Sequence, residues 1–155
     1  MKWFIRIGTH LAAVAVGFAL GIYALPILIA PPSPEAQEVQ AIAAVSDFTA
    51  SFRRELADSD ALHWGEGEVY IGPDSIALEG HLSPGPDYRL YLSPQFVETE
   101  ADFEALKSQM VEVGPVRTFD NFTVSVPSGI DTTAYSAVII WCETFGEFIT
   151  AARYQ

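Results

Sequence analysis

A chain of 155 residues has room for one sizeable core, and this one sets 20 acidic against 8 basic residues, a net charge of −12. A surface of that sign repels phosphate backbones, so nucleic acid is excluded as an expected partner. Its one cysteine, Cys142, rules out an internal disulfide.

Residues 1–10 contain Lys2 and Arg6 and no acid. Residues 11–30 are apolar throughout and long enough to cross a hydrocarbon core of about 30 Å. Gly17, Gly21 and Pro26 are tolerated in such a helix. The positive-inside rule puts residues 1–10 in the cytoplasm and the rest on the periplasmic or extracellular side. A cleaved signal peptide is the competing reading. The length of the apolar run, and Pro31, Pro32 and Pro34 directly after Ala30, favour an uncleaved signal anchor. All 20 acids and six of the eight bases follow Pro34, so the exported part carries about −14.

Residues 31–60 read as a stiff Pro-rich exit and a juxtamembrane helix. The helical stripe is Val39, Ile42 and Ala43, with Glu35 and Glu38 near the positive end of the dipole. A spacing of four through Phe48, Phe52 and Leu56 predicts that the helix continues or restarts there, ending at Asp58–Ser59–Asp60.

From residue 61 the period becomes two. Glu66 to Ile71 and Ile76 to Leu82 alternate around the turn Gly72-Pro73-Asp74-Ser75 and form a hairpin. Tyr88 to Leu92, Val111 to Val113, Phe119 to Val126 and Tyr135 to Trp141 are further strands. Glu98 to Met110 gives mixed signals of a short helix or a loop, and Phe145 to Tyr154 is a last strand or a short terminal helix. The fold expected for 61–155 is mainly β, a compact antiparallel β-sandwich or barrel. Along Tyr135 to Trp141, alternation puts Val138, Ile140 and Cys142 on one face and Ile139 and Trp141 on the other. Both faces are apolar, which marks a central strand.

The motifs of common enzymes are missing: no Gly-x-Ser-x-Gly, no phosphate-cradling glycine loop, no paired-cysteine zinc ribbon. The acidic stretch Glu98 to Glu104 lacks the register of a calcium loop. Nothing argues for a hydrolase. Asn121-Phe122-Thr123 is a formal glycosylation sequon inside a strand-like run. Cys142, His63 and His81 together would suit copper, zinc or haem iron, since sulfur and imidazole are their ligands. No spacing demands that cluster, and separate surface histidines are the plainer reading.

Three segments carry what signal remains. His63-Trp64-Gly65-Glu66-Gly67 leads into a strand, and Gly85-Pro86-Asp87 precedes Tyr88-Arg89-Leu90-Tyr91-Leu92-Ser93. The apolar strand with Val138 then delivers Ile140-Trp141-Cys142, with Phe145 after it. In this order they resemble the DM13 domain. That family shows His-x-x-x-Gly, then Gly-Pro-Asp before a strand ending Tyr-Leu-Ser, and closes on Ile-Trp-Cys-x-x-Phe. The resemblance covers about residues 61–155, including the tail with Phe148 and Ala151–Ala152. It departs where the family's Asn-Gly-Pro-Asp reads Pro84-Gly85-Pro86-Asp87.

The resemblance implies an extracytoplasmic β domain of redox or electron-transfer type. Cys142 is then the redox candidate, and His63 and Asp87 are the matched polar positions beside it. Any metal or haem is unidentified. The family's usual DOMON companion does not occur in this chain. The expected partners are the membrane, through residues 11–30, and a membrane redox protein or an envelope protein. Read without the family, a cysteine on such a strand is a small buried hydrophobe. On that reading the domain is a non-catalytic envelope interaction module. The thiol's surroundings decide between the two.

Overall fold

The computed structural model describes residues 2–155. A single helix, α1 (Lys2–Ile29), extends from the basic N-terminal residues through the whole apolar run. By length and composition it fits one membrane crossing or a signal sequence. After the Pro-rich exit comes α2 (Ala36–Ala43), whose Val39 is fully buried against the outer face of the first sheet.

The helix expected through Phe48, Phe52 and Leu56 does not form. Phe48–Phe52 is strand β1, an edge strand antiparallel to β2 (Gly65–Ile71). A spacing of four is also a multiple of two, so it fits a strand face as well as a helix face. Thr49 and Ser51 between the apolar positions are exposed, while Ala50 and Phe52 are buried. Pairing with β2 then decides the matter.

The remaining strands are β3 (Ser75–Leu82), β4 (Tyr88–Ser93), β5 (Val111–Val116), β6 (Asp120–Ser125), β7 (Ala137–Cys142) and β8 (Glu147–Arg153). Between β4 and β5 lies α3 (Glu100–Leu106). Thus the mixed segment holds a short helix and the C-terminal segment is a strand. Two antiparallel four-stranded sheets result, ordered β1-β2-β3-β6 and β5-β4-β7-β8, which makes the domain a sandwich.

Strand β7 has the parity its sequence predicts. Val138, Ile140 and Cys142 face the core between the sheets with Leu90, Leu78 and Phe122. Ile139 and Trp141 face outward, where Phe103 of α3 stacks on Trp141 at 3.9 Å between ring centroids. Every residue of β7 is buried, because α3 covers the outer face of the second sheet as α2 covers that of the first.

Two places in the fold need backbone without side chains. Gly67 of β2 (φ 125°) and Gly80 of β3 lie opposite each other. A Cβ on Gly67 would fall 2.3 Å from the Glu79 carbonyl oxygen, and one on Gly80 2.1 Å from that of Glu66. Farther along the same sheet, Asn121 (φ 51°) donates from Nδ2 to the Pro34 carbonyl at 3.2 Å and accepts from the Gly80 N–H at 3.0 Å. The linker is thereby clasped to β3 and β6.

The N-terminus of α3 meets the start of β8, and there the Glu100 carboxyl hydrogen-bonds to Glu147. That contact, with burial and the Glu147 charge, raises the Glu100 pKa above its ordinary value. A raised carboxyl pKa contributes stability that is present below the unfolded value and is lost as pH rises through the folded one. Glu100→Gln, neutral at every pH, is therefore expected to stabilise the protein at pH 7 by a few tenths of a kcal/mol. The gain should vanish toward pH 3, as urea titrations at the two pH values will show.

Candidate functional site

The last residue of β7 pairs with the first of β4 and the first of β8, so Cys142, Tyr88 and Glu147 meet at one pole of the sandwich. Cys142 is 2 % exposed, and its Sγ–H donates to the Pro86 carbonyl at 3.1 Å. Burial pushes the thiol pKa up. Burial outweighs the opposing backbone N–H groups of Phe145 and Thr144, and the Asp87 and Glu147 carboxylates add a smaller upward push. Cys142 is therefore a protonated thiol at neutral pH. Burial likewise raises the pKa of the Tyr88 phenol beside it.

Of the residues singled out in the sequence, the structure brings one to the sulfur's cavity. His63 and Cys142 line the same cavity of about 200 Å³, with Pro86, Tyr88 and Phe145. His63 is held by the Asp60 turn: Asp60 Oδ1 accepts from the Leu62 and His63 N–H groups at 2.6 and 2.8 Å. These bonds hold the Asp60 carboxyl below its usual range. The ring Nδ1 lies 3.2 Å from the same carboxylate, an arrangement that puts the proton on Nδ1 and leaves Nε2 as acceptor.

Of the other two, His81 lies apart, and Asp87 stands at the pole without lining the cavity. His81 Nδ1 is 2.7 Å from Asp120 Oδ1, in a separate groove with Arg54, Trp64 and Glu66. Asp87 takes the left-handed conformation (φ 50°) and accepts from Arg89 Nε and Nη2 at 3.0 and 2.8 Å. Its backbone carbonyl accepts from the Glu143 N–H at 3.2 Å, and its carboxylate from Thr144 Oγ1 at 3.4 Å. Asp87 thus fastens the loop before β4 to the turn after β7.

A metal or haem does not fit these residues. Among the described residues no group of three or more His, Cys, Asp and Glu side chains is placed to hold an ion. Cys142 and His63 alone fall short of the three or four protein ligands of common zinc sites. The cavity of about 200 Å³ is also below the roughly 300–1,000 Å³ of cofactor pockets.

Two parts of this pole were not identified from the sequence. One is Tyr88, whose in-phase spacing with Leu90 and Leu92 was a readable sign that it points to the core. It packs so closely on the loop that a Cβ on Gly85 would meet its hydroxyl at 2.3 Å. The other is α1 itself, which supplies Ala19, Ile22 and Tyr23 to the cavity wall. No local pattern in residues 11–30 announces that contact. Next to the turn, on the outer face, Tyr91 donates to the Glu143 carboxylate, which also pairs with Lys107 at 3.1 Å.

Set against known proteins, residues 52–154 match a family model described as Electron transfer DM13. No curated protein and no solved structure matches the chain.

Proposed function

This chain belongs to the DM13 family, and on that footing we propose that it is a membrane-anchored electron-transfer domain, exported by α1, with the Cys142 thiol as its redox group. The observation that carries the reading is that the sole cysteine sits at the pole against α1, in a cavity shared with the oriented imidazole of His63. Because the thiol is protonated, removing an electron from it also removes the Sγ proton. The electron goes to a membrane redox protein docked at this pole. The proton leaves through the cavity, where His63 Nε2 is the available acceptor. Asp87 acts by positioning, since it ties the loop whose Pro86 carbonyl holds the thiol.

One observation favours the second reading, an envelope interaction module with a purely structural cysteine: apolar neighbours enclose Cys142, and burial raises its pKa. Voltammetry of the full chain in a supported lipid layer separates the two. Electron transfer predicts one wave that Cys142→Ser abolishes, while the variant keeps its unfolding midpoint within a few degrees. A native chain with no wave leaves the interaction module, and a wave that survives Cys142→Ser defeats the cysteine-centred role.

A further inference from the structure

Outside α1, three large apolar side chains are markedly exposed among the described residues: Val45 at 72 %, Leu62 at 57 % and Phe145 at 50 %. Val45 lies near the Gly72–Ser75 turn, at the far end of β2. Leu62 and Phe145 lie together at the Cys142 pole, beside Ala19, Ile22 and Tyr23 of α1. A groove of about 580 Å³ continues along α1 from there, past Leu25, Pro26 and Ile29. On its domain side is Arg117, an exposed cation with no ion pair among the described residues. Of the acids at the pole, Asp87 is paired with Arg89 and Glu143 with Lys107, while Glu147 lines the cavity with no ion pair among the described residues.

The helix gives the depth of this pole. Twenty-eight residues at 1.5 Å make α1 about 42 Å long, the full bilayer with its headgroups. Trp3 and Tyr23 are twenty residues apart, about 30 Å, which is the spacing of the two aromatic belts. Taking Tyr23 as the interface on the domain's side sets the span at residues 3–23 in place of the expected 11–30, and the residues packed on Ile22 and Tyr23 then stand at that level.

We propose that the Cys142 pole enters the headgroup–acyl boundary of the bilayer that α1 crosses. Leu62 and Phe145 meet phospholipid acyl chains, and the groove along α1, which runs outward past Tyr23, lies at headgroup level where Arg117 meets the phosphates. The inference rests on α1 crossing a membrane, and it makes the Cys142 cavity accessible from the lipid side rather than from water. Depth of a few ångströms suffices, as for other interfacial apolar surfaces.

Single cysteines placed by Phe18→Cys, Val45→Cys, Leu62→Cys and Phe145→Cys in the full chain carrying Cys142→Ser, each bearing an environment-sensitive fluorophore, test it in phosphatidylcholine nanodiscs. All four positions are exposed, so the labels should leave the fold intact. Labels at 62 and 145 should be quenched by shallow spin-labelled lipid about threefold more than the label at 45, and shielded from aqueous iodide. The label at 18 should respond to deep quenchers. If 62 and 145 behave like 45 while 18 is quenched, the pole stays in water and the proposal falls, with the anchor intact. If 18 is also open to iodide, α1 does not cross and both readings fall.

Discussion

Replacing Gly67 by alanine is expected to cost about 4 kcal/mol and to lower the unfolding midpoint by roughly 10 °C. Two effects add. A φ of 125° is backbone that only glycine adopts without strain, worth about 1–3 kcal/mol. The new methyl would also fall 2.3 Å from the Glu79 carbonyl oxygen, inside the β2–β3 pair, where neither strand can retreat without breaking its ladder. Gly129 separates the two effects. Its φ is 111°, but nothing lies within 4 Å of its Cβ position. Gly129→Ala should therefore show the strain alone, about 1–2 kcal/mol. Urea unfolding of both variants checks the difference; equal losses would mean that the close approach at Gly67 relaxes freely.

Phe103→Ala should cost about 3–5 kcal/mol. Phe103 is fully buried, lies flat on Trp141 and meets Tyr91 edge-on at 5.3 Å. It is the main side chain by which α3 covers the outer face of β7, so its removal leaves a cavity over Ile139 and Trp141. Phe103→Leu, which keeps much of the volume, should lose under about half as much. Chemical denaturation measures both, and a loss below about 1 kcal/mol for the alanine variant would show that α3 settles onto β7 without that ring.

How far the sequence predicted these features depended on whether the signal was local. Strand β7 was legible because six successive apolar residues leave no solvent face, so the phase of Val138, Ile140 and Cys142 follows from alternation alone. Phe48, Phe52 and Leu56 misled because their spacing satisfies both periods, and only the partner strand chooses. At the candidate site, sequence picked Cys142 and His63, which do share a cavity. It also picked His81 and Asp87. Both are engaged elsewhere, His81 with Asp120 and Asp87 with Arg89, in pairings set by sheet register and by a two-residue step respectively. The contact of α1 with the pole comes from tertiary packing between segments 39 to 130 residues apart. Periodicity cannot report it.

The clasp of Asn121 on Pro34 bears on how a partner is met. A domain hung on a loose tether samples a volume set by the tether's length, and it can reach partners in solution. Here the stem is fastened to the sheet and the domain has no such sphere to explore. On a membrane its encounters become a search in two dimensions. Their frequency is set by how many partners share the same patch of bilayer and how fast they diffuse laterally. Cutting the clasp, with Asn121→Gly for instance, would loosen the stem without altering the sulfur's surroundings, leaving α2 and the pole's contact with α1 to hold the domain.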